Sequence, residues 1–133
     1  MPADERAQSG LAEVPLTIHS QNGDHRFTVE VAASPQEQER GLMFRRALAP
    51  DRGMIFPYAP PQYVAFWMKN TLIPLDMIFI REDGKIARVA ANVAPQSLDT
   101  VPSGELVTAV LELRGGRAAE LGIRAGDQVE WQR

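Results

Sequence analysis

Val14-Pro-Leu-Thr-Ile-His-Ser-Gln-Asn-Gly-Asp-His-Arg-Phe-Thr-Val-Glu-Val31 is the stretch that decides the fold class. Asn22-Gly23 near its centre is the pair best suited to a type I′ turn, because both residues tolerate positive φ. Pairing outward from it sets Ile18 opposite Phe27, Leu16 opposite Val29 and Val14 opposite Val31. These six apolar side chains share one face, and Thr17, His19, Arg26, Thr28 and Glu30 take the other. The alternation reads as a β-hairpin with one buried side.

The same signals recur downstream. Asp83-Gly84 joins Met77–Glu82 to Lys85–Ala90 as a second hairpin. Leu106–Leu113 reads as a buried strand, and Ala125-Gly126-Asp127 turns the chain into a last strand, Gln128–Gln132. Helix is scarce. Ser34 caps a short one, Pro35 suits its first turn, and Glu37 completes a Ser-x-x-Glu capping box. Gly41 weakens that helix just before Leu42-Met43-Phe44. Arg117–Leu121 reads as one or two helical turns ended by Gly122. Short strands with frequent turns predict an α+β, β-dominated domain, a small barrel-like or sandwich fold with two short helices.

A length of 133 residues fits one domain, and no internal repeat or linker divides it. Residues 1–12 are expected to be frayed and 13–133 to form the domain. The formal charge of −3 argues against a nucleic-acid surface. With no cysteine, thiol catalysis, disulfides and Cys-ligated zinc are excluded. The longest charge-free run, Gly53 to Met68, is interrupted by Pro57, Pro60 and Pro61 and is shorter than the ~20 residues of a spanning helix. Met1 to Gly10 lacks the apolar region of a secretory signal, which leaves a cytoplasmic protein or one that begins after a removed leader.

Chemistry concentrates in Gly53 to Ile80. This segment holds six of the nine aromatic residues but only two charges, Lys69 and Asp76. A lone pair of opposite charges in so apolar a stretch is expected to meet, because isolated buried ions are costly. Pairing Tyr63–Lys69 antiparallel with Pro74–Ile80, Lys69 opposite Pro74, sets Trp67 opposite Asp76 and Lys69 diagonal to it. Lys69, Asp76, Asn70, Thr71 and an aromatic wall then form a pocket for a polar ligand. The same residues also read as a structural ion pair beneath the aromatics.

Glu39-Arg-Gly-Leu-Met-Phe-Arg45, Gly53-Met-Ile-Phe56 and Phe66-Trp-Met-Lys-Asn-Thr-Leu-Ile-Pro-Leu-Asp-Met-Ile-Phe-Ile80 resemble the DUF192 family of small prokaryotic proteins. The resemblance runs from about Val29 to Trp131. It implies a compact β-rich fold and, for many relatives, export behind a leader, so a periplasmic or other extracytoplasmic home is expected, with the cytoplasm as the alternative. It brings no activity. The positions matching the family pattern are Arg40, Gly41, Trp67, Lys69, Asn70, Pro74, Asp76 and Glu112.

Other constellations are weaker. His19 and His25 fall on opposite faces of the first hairpin and cannot chelate one ion, so no metal and no cofactor are expected. Arg114-Gly-Gly-Arg117 follows a strand and opens a helix whose amides could hold an anion. The leading expectation is a non-catalytic binding module, a monomer or weak dimer. Its candidate ligand-binding residues are Trp67, Lys69, Asn70, Thr71, Asp76, Arg40 and Glu112, and its ligand a polar small molecule, saccharide-like or a cell-envelope fragment. A second reading is a small hydrolase or lyase using Asp76 and Glu112, with Lys69 as electrostatic stabiliser. A third is an interaction protein presenting a flat Tyr58–Pro61 patch.

Overall fold

The structure, a computed structural model, describes residues 6–132. Its elements in chain order are β1 (Glu13–Ser20), β2 (Gly23–Val31), α1 (Pro35–Arg40), β3 (Arg52–Gln62), β4 (Ala65–Phe66), β5 (Leu75–Ile80), β6 (Ile86–Val93), β7 (Val101–Pro102), β8 (Val107–Arg114), α2 (Arg117–Leu121) and β9 (Gln128–Trp131). One sheet runs β6-β5-β8-β3-β2-β1-β9, and β4 pairs with β7 apart from it. Neighbours in the large sheet are antiparallel except β2 and β3, which run parallel. The sheet curls until its two edges touch at one end. There Ile86 N–H donates to Asp127 O (2.9 Å), and Gly126 N–H and Val129 N–H donate to Ile86 O and Gly84 O (2.8 Å each). The result is a β-dominated half-barrel with two short helices, the class expected from the alternation and turns.

Alternate residues of the central strands point to opposite faces and feed two cores. Leu16, Ile18, Phe27, Val29, Ile78, Ile80, Leu111 and Leu113 fill one, which Ala118 of α2 helps to cover. Met54, Phe56, Met77, Phe79 and Val110 fill the other, beneath Leu42, Leu48 and Met68. β5 and β8 are buried on both faces, which is why their sequences run apolar without alternation. Phe66 meets Phe56 edge-to-face at 5.0 Å and Phe79 at 6.4 Å, tying the β4 loop onto the second core.

Local signals hold well. Ser34 accepts from Glu37 N–H (3.1 Å), and the Glu37 carboxylate accepts from Ser34 N–H (3.0 Å), completing the capping box. α2 ends at Gly122. Of the segment expected to be frayed, residues 1–5 lie outside the described residues. Gln8 donates to Glu37 O and Gly41 O (2.9 Å each), and Ala12 O accepts from Val31 N–H (2.8 Å).

Two pairings differ from expectation. The first hairpin turns at Gln21-Asn22, so Leu16 opposes Phe27 and Val14 opposes Val29. A type I′ turn at Asn22-Gly23 needs positive φ at both residues, and of the two only Gly23 (+123°) has it. The shift is two residues, so the buried face is unchanged. The larger correction is that Tyr63–Lys69 does not pair with Pro74–Ile80. β4 pairs with β7, while β5 pairs with β6 and β8. Leu75–Ile80 is apolar enough to be buried on both faces, and the doubly buried β8 supplies the second layer of contacts. Leu72-Ile73 has no turn chemistry to fold the segment on itself.

Candidate functional site

The second core does not close over β3 and β8. Met54, Phe56 and Tyr58 follow one another along one face of β3, and Glu112 of β8 lies between Met54 and Met77 on the same face. β3 and β8 approach closely here because residue 53 is glycine: a Cβ on it would sit 2.6 Å from Glu112 O. One wall is the end of α1 with Gly41–Met43, and the other is Ala65–Trp67 with Lys69 and Thr71. Gln38 holds the first wall to the sheet by donating to Ala32 O (3.0 Å) and Pro57 O (2.9 Å). Between the walls is a cleft of about 250 Å³ with Glu112 at its floor.

Glu112 is 4% exposed. Among the described residues its carboxyl makes no hydrogen bond or ion pair. No fully occluded side-chain oxygen among the described residues lacks a partner, so the Glu112 oxygens reach the open space of the cleft. Burial pushes its pKa up to about 8, so the carboxyl is largely protonated at neutral pH. Burial, and secondly the charge of Glu112, raise the pKa of Tyr58 and keep its phenol protonated. Thr71 is buried and donates its hydroxyl to Lys69 O (3.2 Å). At the mouth, Lys69 Nζ lies 5.3 Å from the ring centroid of Trp67, which is 46% exposed. The Arg40 guanidinium stacks on Phe44 at 5.1 Å and donates to Arg6 O.

A second depression adjoins this cleft, sharing Glu39, Arg40, Met43, Trp67 and Lys69 with it and adding Gln36, Phe44 and Asn70. Phe44 (φ +66°) and Asn70 (φ +56°) are both left-handed, and Phe44 N–H donates to Asn70 O (2.8 Å). Asn takes this conformation readily and Phe rarely does, so the main-chain bond between them holds an unusual Phe44 backbone beside the mouth.

Of the seven candidate residues, Arg40, Trp67, Lys69, Thr71 and Glu112 line the cleft and Asn70 borders the adjoining depression. Asp76 is elsewhere. It shares a face with Ile78 and Ile80 on the side of the first core, opposite Glu112. Lys69 therefore does not meet Asp76, and Asp76 and Glu112 are not a carboxylate pair facing one cavity. Asp76 is fully buried and satisfied by backbone amides. Its Oδ1 accepts from Asn92 N–H (2.7 Å) and Gly116 N–H (3.0 Å), and its Oδ2 from Ala118 N–H (2.8 Å). Gly116 takes φ +91° to present these amides. The anion held by the Gly115-Gly116 turn is the protein's own side chain.

The interaction-protein reading needs a flat exposed Tyr58–Pro61 patch; Tyr58 instead lines the cleft, while Ala59 and Pro60 are exposed. Its place was readable from parity, since residues 54, 56 and 58 share a strand face. His19 pairs with Asp24 (2.7 Å) and Glu130 (3.1 Å), whereas His25 meets Ser20 (2.8 Å) on the other side of the hairpin.

The family model DUF192, described as Uncharacterized ACR, COG1430, matches residues 17–131. The chain belongs to the DUF192 family. No curated protein matches it. Among solved structures, a protein of unknown function from Novosphingobium aromaticivorans DSM 12444 is 45% identical, with a TM-score of 0.91 over 96% of this chain and 91% of that one. A protein from Sinorhizobium meliloti 1021, described as a candidate transcription regulator, is 41% identical, with a TM-score of 0.89 over 93% of this chain and 97% of that one.

Proposed function

We propose that this DUF192 protein is a binding module that takes a polar small molecule into the Glu112 cleft, with Trp67 and Lys69 at its mouth. The observation that carries the reading is Glu112 itself, a carboxyl buried at the cleft floor without a protein partner. Where cleft water does not solvate it, such a group costs the fold about 1–3 kcal/mol. Asp76, by contrast, is a buried carboxylate with three backbone N–H donors of its own. The aromatic walls of Phe56, Tyr58, Phe66 and Trp67 beside a few polar groups are the usual make-up of a small-molecule site.

Binding is favoured over acid–base catalysis because the second carboxylate of that scheme, Asp76, faces away from the cleft. Transcription regulation is the role named in the description of the Sinorhizobium relative, and a DNA-reading form of it finds little support in this chain. Its net charge is −3, and α1 and α2 have six and five residues, short for a groove-entering helix.

The test is a titration of ¹⁵N-labelled protein with neutral monosaccharides, small carboxylates, primary amines and amino acids at millimolar concentration. At least one class should shift the Trp67 indole N–H and the Tyr58 and Glu112 amides, leaving the Trp131 indole, on the first core, unmoved. A panel in which no compound moves the cleft resonances overturns the reading.

A further inference from the structure

Building on that reading, we propose that the cleft takes a zwitterion, with its ammonium group seated against Glu112 and its carboxylate held at the mouth by Lys69. The floor supplies the first half. Glu112 offers lone pairs that nothing among the described residues uses, and Phe56, Tyr58, Phe66 and Trp67 line the same space. Ring faces beside a carboxylate attract a cation, because the quadrupole and the formal charge act in the same sense. The protein already uses half of this chemistry at the mouth, where the Lys69 ammonium rests over Trp67.

The mouth supplies the second half. Lys69 is exposed and makes no ion pair among the described residues. The adjoining depression continues past Lys69 toward Asn70, so a ligand seated on the floor has a direction in which to extend. Around Glu112, α1 brings Glu39 and Arg40, β3 brings Tyr58, and the loop after β4 brings Lys69. From β5 the neighbour is Met77, which is uncharged. Glu30 of β2 lies on the same sheet face beyond Met54, but Arg45 neutralises it at 2.5 Å. With Glu39 and Arg40 of α1 opposite in sign, Lys69 leaves the mouth net positive, and that charge outside a carboxyl is complementary to a ligand of the reverse order.

γ-Aminobutyrate is the probe, with butylamine, butyrate and glucose as controls, and the Trp67 indole N–H as the readout. γ-Aminobutyrate should bind about tenfold or more tighter than butylamine or butyrate, each of which keeps one charge-assisted contact. Its affinity should rise with pH, about tenfold per unit below the Glu112 pKa of about 8, and level off above it, because the ammonium binds the ionised form. Glu112→Gln, close in shape, should weaken γ-aminobutyrate and butylamine alike and flatten the pH profile. Lys69→Ala should weaken γ-aminobutyrate and leave butylamine unchanged. Melting curves of both variants confirm that they fold.

An affinity that falls with rising pH, or butyrate or glucose binding as tightly as γ-aminobutyrate, overturns the zwitterion while leaving the binding module standing. If no compound of the wider panel moves the cleft resonances, both readings fall.

Discussion

Asp76 and Glu112 are both buried carboxyl groups, on adjacent strands and one residue apart in register, yet they do opposite things. Asp76 points to the first core and accepts three backbone N–H groups from the β6 strand, the glycine turn and α2. Glu112 points to the second core and meets an open cleft. The contrast teaches that burial alone does not distinguish a fold determinant from a site. What distinguishes them is whether the fold has spent its own donors on the carboxyl. Around Asp76 it has, at a turn whose geometry needs Gly116. Around Glu112 the nearest hydroxyls and cations stay uncommitted to it.

Removing the satisfied member should have the largest effect. Asp76→Ala leaves three backbone donors without their acceptor and should lower stability by about 3–5 kcal/mol, at about 1–3 kcal/mol per buried unsatisfied group with partial rehydration. Asp76→Asn should cost about half as much. Its amide oxygen can still serve Asn92 and Gly116, but its NH2 then confronts the Ala118 N–H. Urea unfolding gives both numbers. A loss below about 1 kcal/mol for Asp76→Ala would collapse the comparison, since Asp76 would then be no more structural than a surface acid.

The sequence made much of the frame readable. Ser34, Pro35 and Glu37 announced α1, Asp83-Gly84 the second hairpin, and Gly122 the end of α2, because each acts through neighbours in the chain. The hairpin register slipped by two residues without moving a side chain to the wrong face, since the strand period is two. What stayed hidden is non-local: the parallel β2–β3 pairing and the insertion of β8 between β5 and β3. Asp76 was misassigned for the same reason. Its partners are main-chain amides, which no side-chain identity advertises, and Lys69 was the only opposite charge in its segment. Both halves of the answer were nevertheless present, a carboxylate in an apolar run and a Gly-Gly turn able to hold an anion. Of the site, Arg40, Trp67, Lys69, Asn70 and Glu112 were legible through the family pattern, Thr71 through its place beside Lys69 and Asn70 in the aromatic-rich segment, and Tyr58 only through strand parity.

The next effect isolates the unsatisfied member. Glu112 has its folded pKa raised from 4.5 to about 8, so between those values the folded protein holds a proton that the unfolded chain has released. Stability therefore falls as pH rises through this window and levels off above about 8. The slope contributed is at most about 1.4 kcal/mol per pH unit, less where cleft water screens the charge. Glu112→Gln removes the titration, so the difference between the two proteins' unfolding free energies, followed from about pH 5 to 9, isolates it. Parallel profiles would mean that Glu112 is solvated or partnered in the folded protein, and the contrast would dissolve.

The smallest effect is a null coupling that sharpens the comparison. Lys69 and Asp76 are the only charges of their segment, and an ion pair between them would give a strong interaction energy in a double-mutant cycle, since breaking a buried pair costs about 3–5 kcal/mol. In this fold Lys69 lies over Trp67 at the mouth of the cleft, while Asp76 is on the opposite face of the sheet among amide donors. Two sites without shared partners should be additive to within about 0.5 kcal/mol. Asp76→Ala should therefore cost the same in the wild-type and Lys69→Ala backgrounds, and Lys69→Ala alone should change stability by less than about 0.5 kcal/mol, as exposed side chains do. A coupling above about 1 kcal/mol would place the ammonium beside Asp76. That would assign the Lys69 charge to the fold and remove it from the mouth of the cleft, where the ligand proposal needs it.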